Sequence, residues 1–196
     1  MITKVKFWSV SAALAVVGVV SSSLLTARFC PPDGPRSDAA WAFTADSAKA
    51  LVTHAEAIVV AKAVANHPGR VAVSENGGDL LPFQIVEFQI EEELKGAFPD
   101  GRVYVERAGG IEPGTDVHHD IDIDGGEFEI GGTYLLFLNE QPGNTGLHYQ
   151  VNAQARYTIL QGRLHGVDSE AGDPVQQAFQ RRSPAEASAL VKRLLD

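Results

Sequence analysis

Apolar residues change their spacing along the chain, and near residue 44 they follow the period of a helix. The segment "TADSAKALVTHAEA" places Ala48, Leu51, Val52 and Ala55 at i, i+3, i+4 and i+7, on one helical face. Asp46 precedes this face and is predicted to cap the helix. We therefore predict a short amphipathic helix at the start of a folded domain.

The period then changes to two, which is typical of strands. Five strand regions are predicted, at 57–65, 82–94, 102–108, 133–139 and 148–160. Asn66-His67-Pro68-Gly69 is predicted to end the first strand as a turn. The second strand changes its apolar parity midway, which predicts a bulge. "TYLLFLN" is nearly all apolar and predicts a central strand buried on both faces.

A second helix is predicted at the C-terminus. Ser183 and Glu186 have the spacing of a capping box, and Pro184 suits the first helical position. The stripe expected to dock this helix consists of Leu190, Val191, Leu194 and Leu195. Because closure removes exposed sheet edges, the sequence predicts a mainly β domain over 44–196. Its expected form is a five-stranded OB-like (oligonucleotide/oligosaccharide-binding) Greek-key barrel with short flanking N- and C-terminal helices.

Four segments in about residues 50–165 resemble one superfamily. "AEAIVVAKAV", "FQIVEFQIEEELKG", "VYVERAGGI" and "GGEFEIGGTYLLFL" resemble the netrin-like, tissue-inhibitor-of-metalloproteinase OB domains, and above all the exported bacterial proteins of that superfamily. The shared motifs are structural: Lys95-Gly96 at a turn, Gly109-Gly110 after a strand, and Gly132 before "YLLFL". The resemblance implies a fold. The animal inhibitors hold the protease zinc through a disulfide-bonded N-terminal cysteine, and Cys30 is the only cysteine here.

The N-terminus has the pattern of an export segment. Lys4 and Lys6 precede an uncharged run over 7–25. Residues 1–27 are interpreted as a signal peptide or an N-terminal membrane anchor, and 28–43 as a proline-containing linker. Either interpretation predicts an extracytoplasmic domain, secreted or anchored. Cys30 is interpreted as an unpaired thiol in the linker rather than a lipid-anchored cysteine, because Arg28 and Phe29 break the pattern of small residues that precedes such sites.

The charge excludes some partners. The formal net charge is −9, whereas nucleic-acid-binding domains usually carry a basic face. Residues 75–140 include sixteen acidic residues and three basic ones. The acidic surface predicted from this count either keeps the domain soluble or attracts a cation or a basic protein at the cell envelope. No nucleic acid is expected, membrane contact is expected through the N-terminal segment only, and the domain is expected to be a monomer.

The densest polar cluster is "VHHDIDIDGGEFEIGG", residues 117–132. Asp120, Asp122 and Asp124 match the opening of a calcium loop, but Gly131 stands where the bidentate glutamate belongs, so at most weak calcium binding is expected. His118 and His119 are adjacent, and on a strand they would point to opposite faces. The favoured alternative is a half-buried hairpin around Gly125-Gly126 with its carboxylates in water. Its inward side chains would be Ile121, Ile123, Phe128 and Ile130.

No catalytic motif is present: the chain lacks G-x-S-x-G, H-E-x-x-H and a phosphate-binding glycine loop. The acidic run Glu91-Glu92-Glu93 is interpreted as a solvated strand end. The predicted function is therefore a non-catalytic binding domain at the cell envelope, without a cofactor apart from the weak calcium candidate. Two alternatives stay open. One is a metal-dependent hydrolase that uses the 117–129 loop, and the other is a protease inhibitor by distant analogy.

Overall fold

A computed structural model describes residues 43–73, 80–111, 114, 118–119, 126–167 and 173–196. The export segment 1–27 and the linker up to residue 42 lie outside the described residues. Asp120, Asp122 and Asp124 also lie outside them, so the weak calcium site stays a prediction. Within the described ranges, no helix has the length and apolar character needed to cross a membrane.

The domain is mainly β, as predicted. Nine strands and three α-helices occur in the described ranges. The strands are β1 (Ala57–Val73), β2 (Leu80–Lys95), β3 (Arg102–Ala108), β4 (Gly110–Ile111), β5 (His118–His119), β6 (Thr133–Gln141), β7 (Asn144–Gln150), β8 (Arg156–Leu160) and β9 (Arg163–Gly166). The helices are α1 (Ala48–His54), α2 (Pro174–Phe179) and α3 (Pro184–Leu195).

Five of the strands pair in a closed circuit. β1 pairs antiparallel with β2 on one edge and with β6 on the other. β2 continues to β3 and β6 to β7, both antiparallel. β3 and β7 are parallel, with Val105 opposite His148. The order β1-β2-β3-β7-β6 therefore returns to β1, and we call these five strands the strand ring. β8 pairs with β6 beyond β7, and β9 pairs with β8.

Two hydrophobic cores follow from the alternation of side chains along the ring. The inner core fills the ring, and its residues are Ala57, Val59, Ala61, Ala63, Val86, Phe88, Val103, Val105, Phe128, Tyr134, Leu136 and Leu138. The outer core lies between the other face of β1 and β6 and the three helices. β6 contributes to both cores because Tyr134 through Leu138 are all buried. The sequence prediction of a strand buried on both faces is confirmed.

The bulge predicted in the second strand is also confirmed. The β1–β2 register shifts at four places, and two of these shifts put an extra residue in β2, at Glu91 and at Leu94. Such bulges bend a strand and increase its twist. A strand as long as β2 needs that bending in order to follow the curve of the ring.

The predicted turn at 66–69 is wrong, because β1 continues through it to Val73. β1 pairs with β6 only as far as Lys62, so Pro68 lies where its missing N–H removes no β1–β6 hydrogen bond. At Gly69 a β-carbon would lie only 2.4 Å from the carbonyl oxygen of Phe83. The glycine therefore permits a close approach of two strand backbones rather than a turn.

The strand predicted over 148–160 is two strands, β7 and β8. A short 3-10 helix, Ala153–Ala155, interrupts it. The Asn152 side chain accepts a hydrogen bond from the Gln154 amide at 2.9 Å, and the Gln154 side chain accepts one from the Ala45 amide at 3.0 Å. These polar contacts replace the strand pairing at this point.

The helix predictions are confirmed in part. α3 begins with the predicted capping box, in which the Ser183 and Glu186 side chains bond to each other's backbone N–H. Leu190 and Val191 are buried, but Leu195 is 40% exposed, so its predicted burial is wrong. α1 is capped by Ser47 rather than by Asp46. α2 was not predicted from the sequence, although Asp173 before Pro174 is a helix-start signal.

Candidate functional site

A cavity opens at one end of the strand ring, where β1, β3 and β7 begin and β2 and β6 end. Its volume is about 560 Å³, within the range of about 300–1,000 Å³ that is common for small-molecule sites. We call it the mouth cavity. Its lining residues are Glu56, Ala57, Gly96, Ala97, Phe98, Pro99, Asp100, Arg102, Tyr104, Glu140, Gly146 and His148.

The alternation of β6 and β7 places two of these polar side chains. Leu138 belongs to the inner core, so Glu140, two residues later at the end of the strand, has the same orientation. On β7, Gln150 lies opposite Leu138 and His148 lies opposite Glu140. Glu140 and His148 therefore meet where the apolar interior of the ring reaches the cavity.

Two glutamates hold the rim of the mouth cavity through backbone contacts. A carboxylate oxygen of Glu56 accepts a hydrogen bond from the Glu140 amide at 2.6 Å, and the Glu140 carboxylate accepts one from the Gly146 amide at 2.9 Å. The Glu56 amide in turn donates to the Asn139 side chain at 3.0 Å. The start of β1 is thereby tied to the β6–β7 hairpin, and both carboxylates are fixed beside the cavity.

His148 is the buried polar side chain of the mouth cavity. It is only 9% exposed, and its Nδ1 has no hydrogen-bond partner within the described residues. The Phe98 ring lies 5.5 Å from the imidazole, centroid to centroid. Burial lowers the pKa of His148, although the Glu140 and Glu56 carboxylates and the carbonyls of Gly146 and Tyr104 act in the opposite direction. The imidazole is therefore neutral at pH 7.

This lowered pKa makes stability depend on pH. An unfolded histidine titrates near about pH 6.5, whereas His148 in the folded domain titrates below that. The unfolded chain binds the proton more readily, so we expect the contribution of His148 to stability to be complete above pH 6.5 and to be lost as pH falls through the folded pKa. Urea unfolding between pH 7.5 and 5 should show this loss. It should be smaller in His148→Gln and unchanged in the control His165→Gln, which removes an exposed histidine. An equal dependence of the free energy of unfolding on pH in wild type and in His148→Gln would contradict the expectation.

The opposite end of the ring, where β3 ends and β6 begins, holds the described part of the predicted acidic loop. His118 Nε2 lies 2.8 Å from a Glu127 carboxylate oxygen, and the guanidinium of Arg107 lies 3.6 Å from the same oxygen. The Arg107 side chain is fully buried, while His118 is about half exposed. Glu127 therefore balances a buried cation, which is a structural role.

Arg156 fixes the backbone of this loop. Its guanidinium donates to the carbonyl oxygens of Gly126 and Glu127, each at 2.7 Å. It also lies over the Phe128 ring, 3.9 Å from the ring centroid. Phe128 itself packs in the inner core, as the hairpin interpretation expects, whereas Ile130 is 46% exposed and its predicted inward position is wrong.

The described residues do not assemble a metal centre from the histidines of this loop. His118 and His119 form the two-residue strand β5, which pairs with β4. Within the described ranges, no group of three or more histidine, cysteine, aspartate and glutamate residues is placed to hold a metal ion. The hydrolase alternative depends on Asp120, Asp122 and Asp124, which lie outside those ranges, so it stays a prediction.

The acidic run on β2 has two roles. Glu91 and Glu93 are exposed, as predicted for a solvated strand end. Glu92 instead accepts hydrogen bonds from Ser188 at 2.7 Å and from Lys192 at 2.9 Å, both on α3. Partial burial raises the pKa of Glu92, but these two contacts outweigh it and the pKa is lowered overall. Glu92 therefore helps to attach α3 to the ring.

A scan against models of known protein families finds no match, and a search of curated proteins finds none either.

Proposed function

We propose that residues 44–196 form a non-catalytic binding domain that acts outside the cytoplasm, either secreted or held at the membrane by segment 1–27. The ligand enters the mouth cavity. One observation carries this proposal: a cavity of ligand size at the mouth of the strand ring is lined by the buried His148 and by two glutamates that backbone contacts hold in place.

The pairing of the strands supports an OB-like Greek-key barrel as the finer description of the fold. Five strands close on themselves, and the closing pair β3–β7 is parallel. The segments that resemble the netrin-like superfamily coincide with β1, β2, β3 and β6. On this ground we propose that the chain is a member of that superfamily. Ligand sites are frequent at the mouths of β-barrels.

The chemistry of the cavity favours binding over catalysis. Among the described residues, its lining contains no serine, threonine or cysteine that could serve as a nucleophile. Glu56 and Glu140 already accept backbone hydrogen bonds that hold the rim in place. Groups fixed in this way suit the recognition of a ligand of definite shape and charge.

The proposal is tested by mapping binding in solution. A ¹⁵N-labelled 43–196 domain is titrated with a mixed set of cationic, anionic, neutral polar and apolar fragments. We expect changes in amide chemical shift to concentrate at residues of the mouth cavity. These changes should disappear in Ala97→Trp, which places an indole over the opening. Ala185→Trp, on the exposed face of α3, is the matched control and should retain them. Fragments that bind only elsewhere, or not at all, would overturn the proposal.

A further inference from the structure

We infer that the mouth cavity binds an organic cation, an alkylammonium or a guanidinium group. This inference rests on the proposed function and specifies the chemistry of its ligand. Three features support it: the charge of the lining, the free hydrogen-bond acceptors, and the aromatic wall beside His148.

The charge of the lining is negative. Glu56, Asp100 and Glu140 contribute three carboxylates, and Arg102 contributes the single guanidinium. Arg102 is already engaged, because it forms an ion pair with Glu87 on the outer face of the ring. A cation in the cavity therefore meets a net negative charge on the lining, whereas an anion would be repelled by the same three groups.

The two rim carboxylates retain acceptor capacity. A carboxylate has about four acceptor positions, and the bonds from the Glu140 and Gly146 amides occupy one position on Glu56 and one on Glu140. Burial lowers the pKa of Lys95, and the nearby Glu56 carboxylate opposes that shift. Its ammonium, however, donates to backbone carbonyls at the end of α1, those of Val52 and Thr53. The remaining acceptor positions are suited to the N–H groups of a ligand.

His148 and Phe98 suit the same ligand. Burial lowers the pKa of His148, so the neutral imidazole adds no positive charge to the lining. Phe98 is partly buried against the inner core and forms an aromatic wall 5.5 Å from the imidazole. Aromatic faces attract alkylammonium and guanidinium groups.

Two sources can supply this chemistry: a free organic amine, or a lysine or arginine side chain of a partner protein. The experiment has an arm for each. The free-amine arm uses n-butylammonium and n-butylguanidinium. The side-chain arm uses Nα-acetyl-lysine amide and Nα-acetyl-arginine amide, which keep their charged side chains. n-Butanol and butyrate are the neutral and anionic controls. Each probe is titrated into the ¹⁵N-labelled domain at pH 7.5.

We expect the cations to shift resonances at the mouth cavity and the two control probes to leave them unchanged. Glu140→Gln and Asp100→Asn should each weaken binding by about tenfold or more, because each removes a charged hydrogen-bond acceptor. Glu91→Gln removes an exposed carboxylate outside the cavity and should bind as wild type does. The glutamine at 140 can still accept from the Gly146 amide, and Asp100 is an exposed loop residue, so both variants should fold.

The outcomes separate the two proposals. Tighter binding in the side-chain arm indicates a partner protein, and tighter binding in the free-amine arm indicates a free amine; both support a cation site. Butanol or butyrate binding as well as the cations, or cations binding equally to Glu140→Gln and Asp100→Asn, would overturn the cation inference and leave the mouth cavity as a site. No binding of any probe or fragment at the cavity would overturn both.

Discussion

Ending the chain after Ser183 should lower the free energy of unfolding by several kcal/mol or prevent folding. The truncation removes α3, whose Leu190 and Val191 are buried in the outer core. Burial of two such side chains contributes about 3–6 kcal/mol. A domain of this size has a total stability of only about 5–15 kcal/mol. The loss would also expose Leu51 and Val52 of α1, which pack in the same core.

The contribution of α3 can be divided by point variants. Leu190→Ala should cost about 2–5 kcal/mol, as for other buried leucines. Leu195→Ala is the matched control, and because Leu195 is 40% exposed it should stay within about 0.5 kcal/mol of wild type. Urea unfolding followed by far-UV circular dichroism measures both. An unchanged midpoint after truncation, or equal effects of the two leucines, would show that α3 does not stabilise the domain in this way.

The strand segments could be predicted because the signal is local. Alternation in "RVYVERA" and the continuous apolar run "TYLLFLN" reflect burial on one face or on two, and each is visible in a few residues. The extent of β1 could not be predicted in the same way. His-Pro-Gly usually indicates a turn, but at Gly69 the deciding fact is the carbonyl of Phe83, fourteen positions away. A close approach between strands is not visible in the sequence of either strand alone.

The candidate site shows the same limit more strongly. The 117–132 segment is the predicted site because its aspartates are closely spaced in the sequence. Glu56 and Glu140 are 84 positions apart, and the pairing of β1 with β6 brings them together. His148 lies in a strand whose alternation is ordinary, and only its register against Glu140 places it at the cavity. Residues that depend on strand register for their proximity cannot be grouped until the pairing is known.

Arg156→Met should destabilise the domain by about 3–6 kcal/mol, because it removes two hydrogen bonds made by a charged donor. Methionine keeps most of the length and apolar contact of the arginine side chain, so the change isolates the guanidinium. That group donates at 2.7 Å to each of the carbonyls of Gly126 and Glu127 and lies 3.9 Å from the Phe128 centroid. Both hydrogen bonds are partly buried, and a hydrogen bond to a charged group contributes about 1.5–3 kcal/mol.

An apolar replacement can be harmless when both members of a buried ion pair are replaced together. Here the acceptors are backbone carbonyls that no substitution removes, so the cost remains. Arg163→Met is the matched control, because Arg163 is exposed and contacts an exposed Glu186; a surface pair of this kind contributes only about 0–1 kcal/mol. Arg156→Lys should fall between the two, since lysine keeps the charge but cannot present two parallel N–H groups to the adjacent carbonyls. Chemical denaturation of the three variants measures the order. If Arg156→Met unfolds at the same urea concentration as Arg163→Met, Arg156 does not hold the 126–128 backbone against the end of the ring.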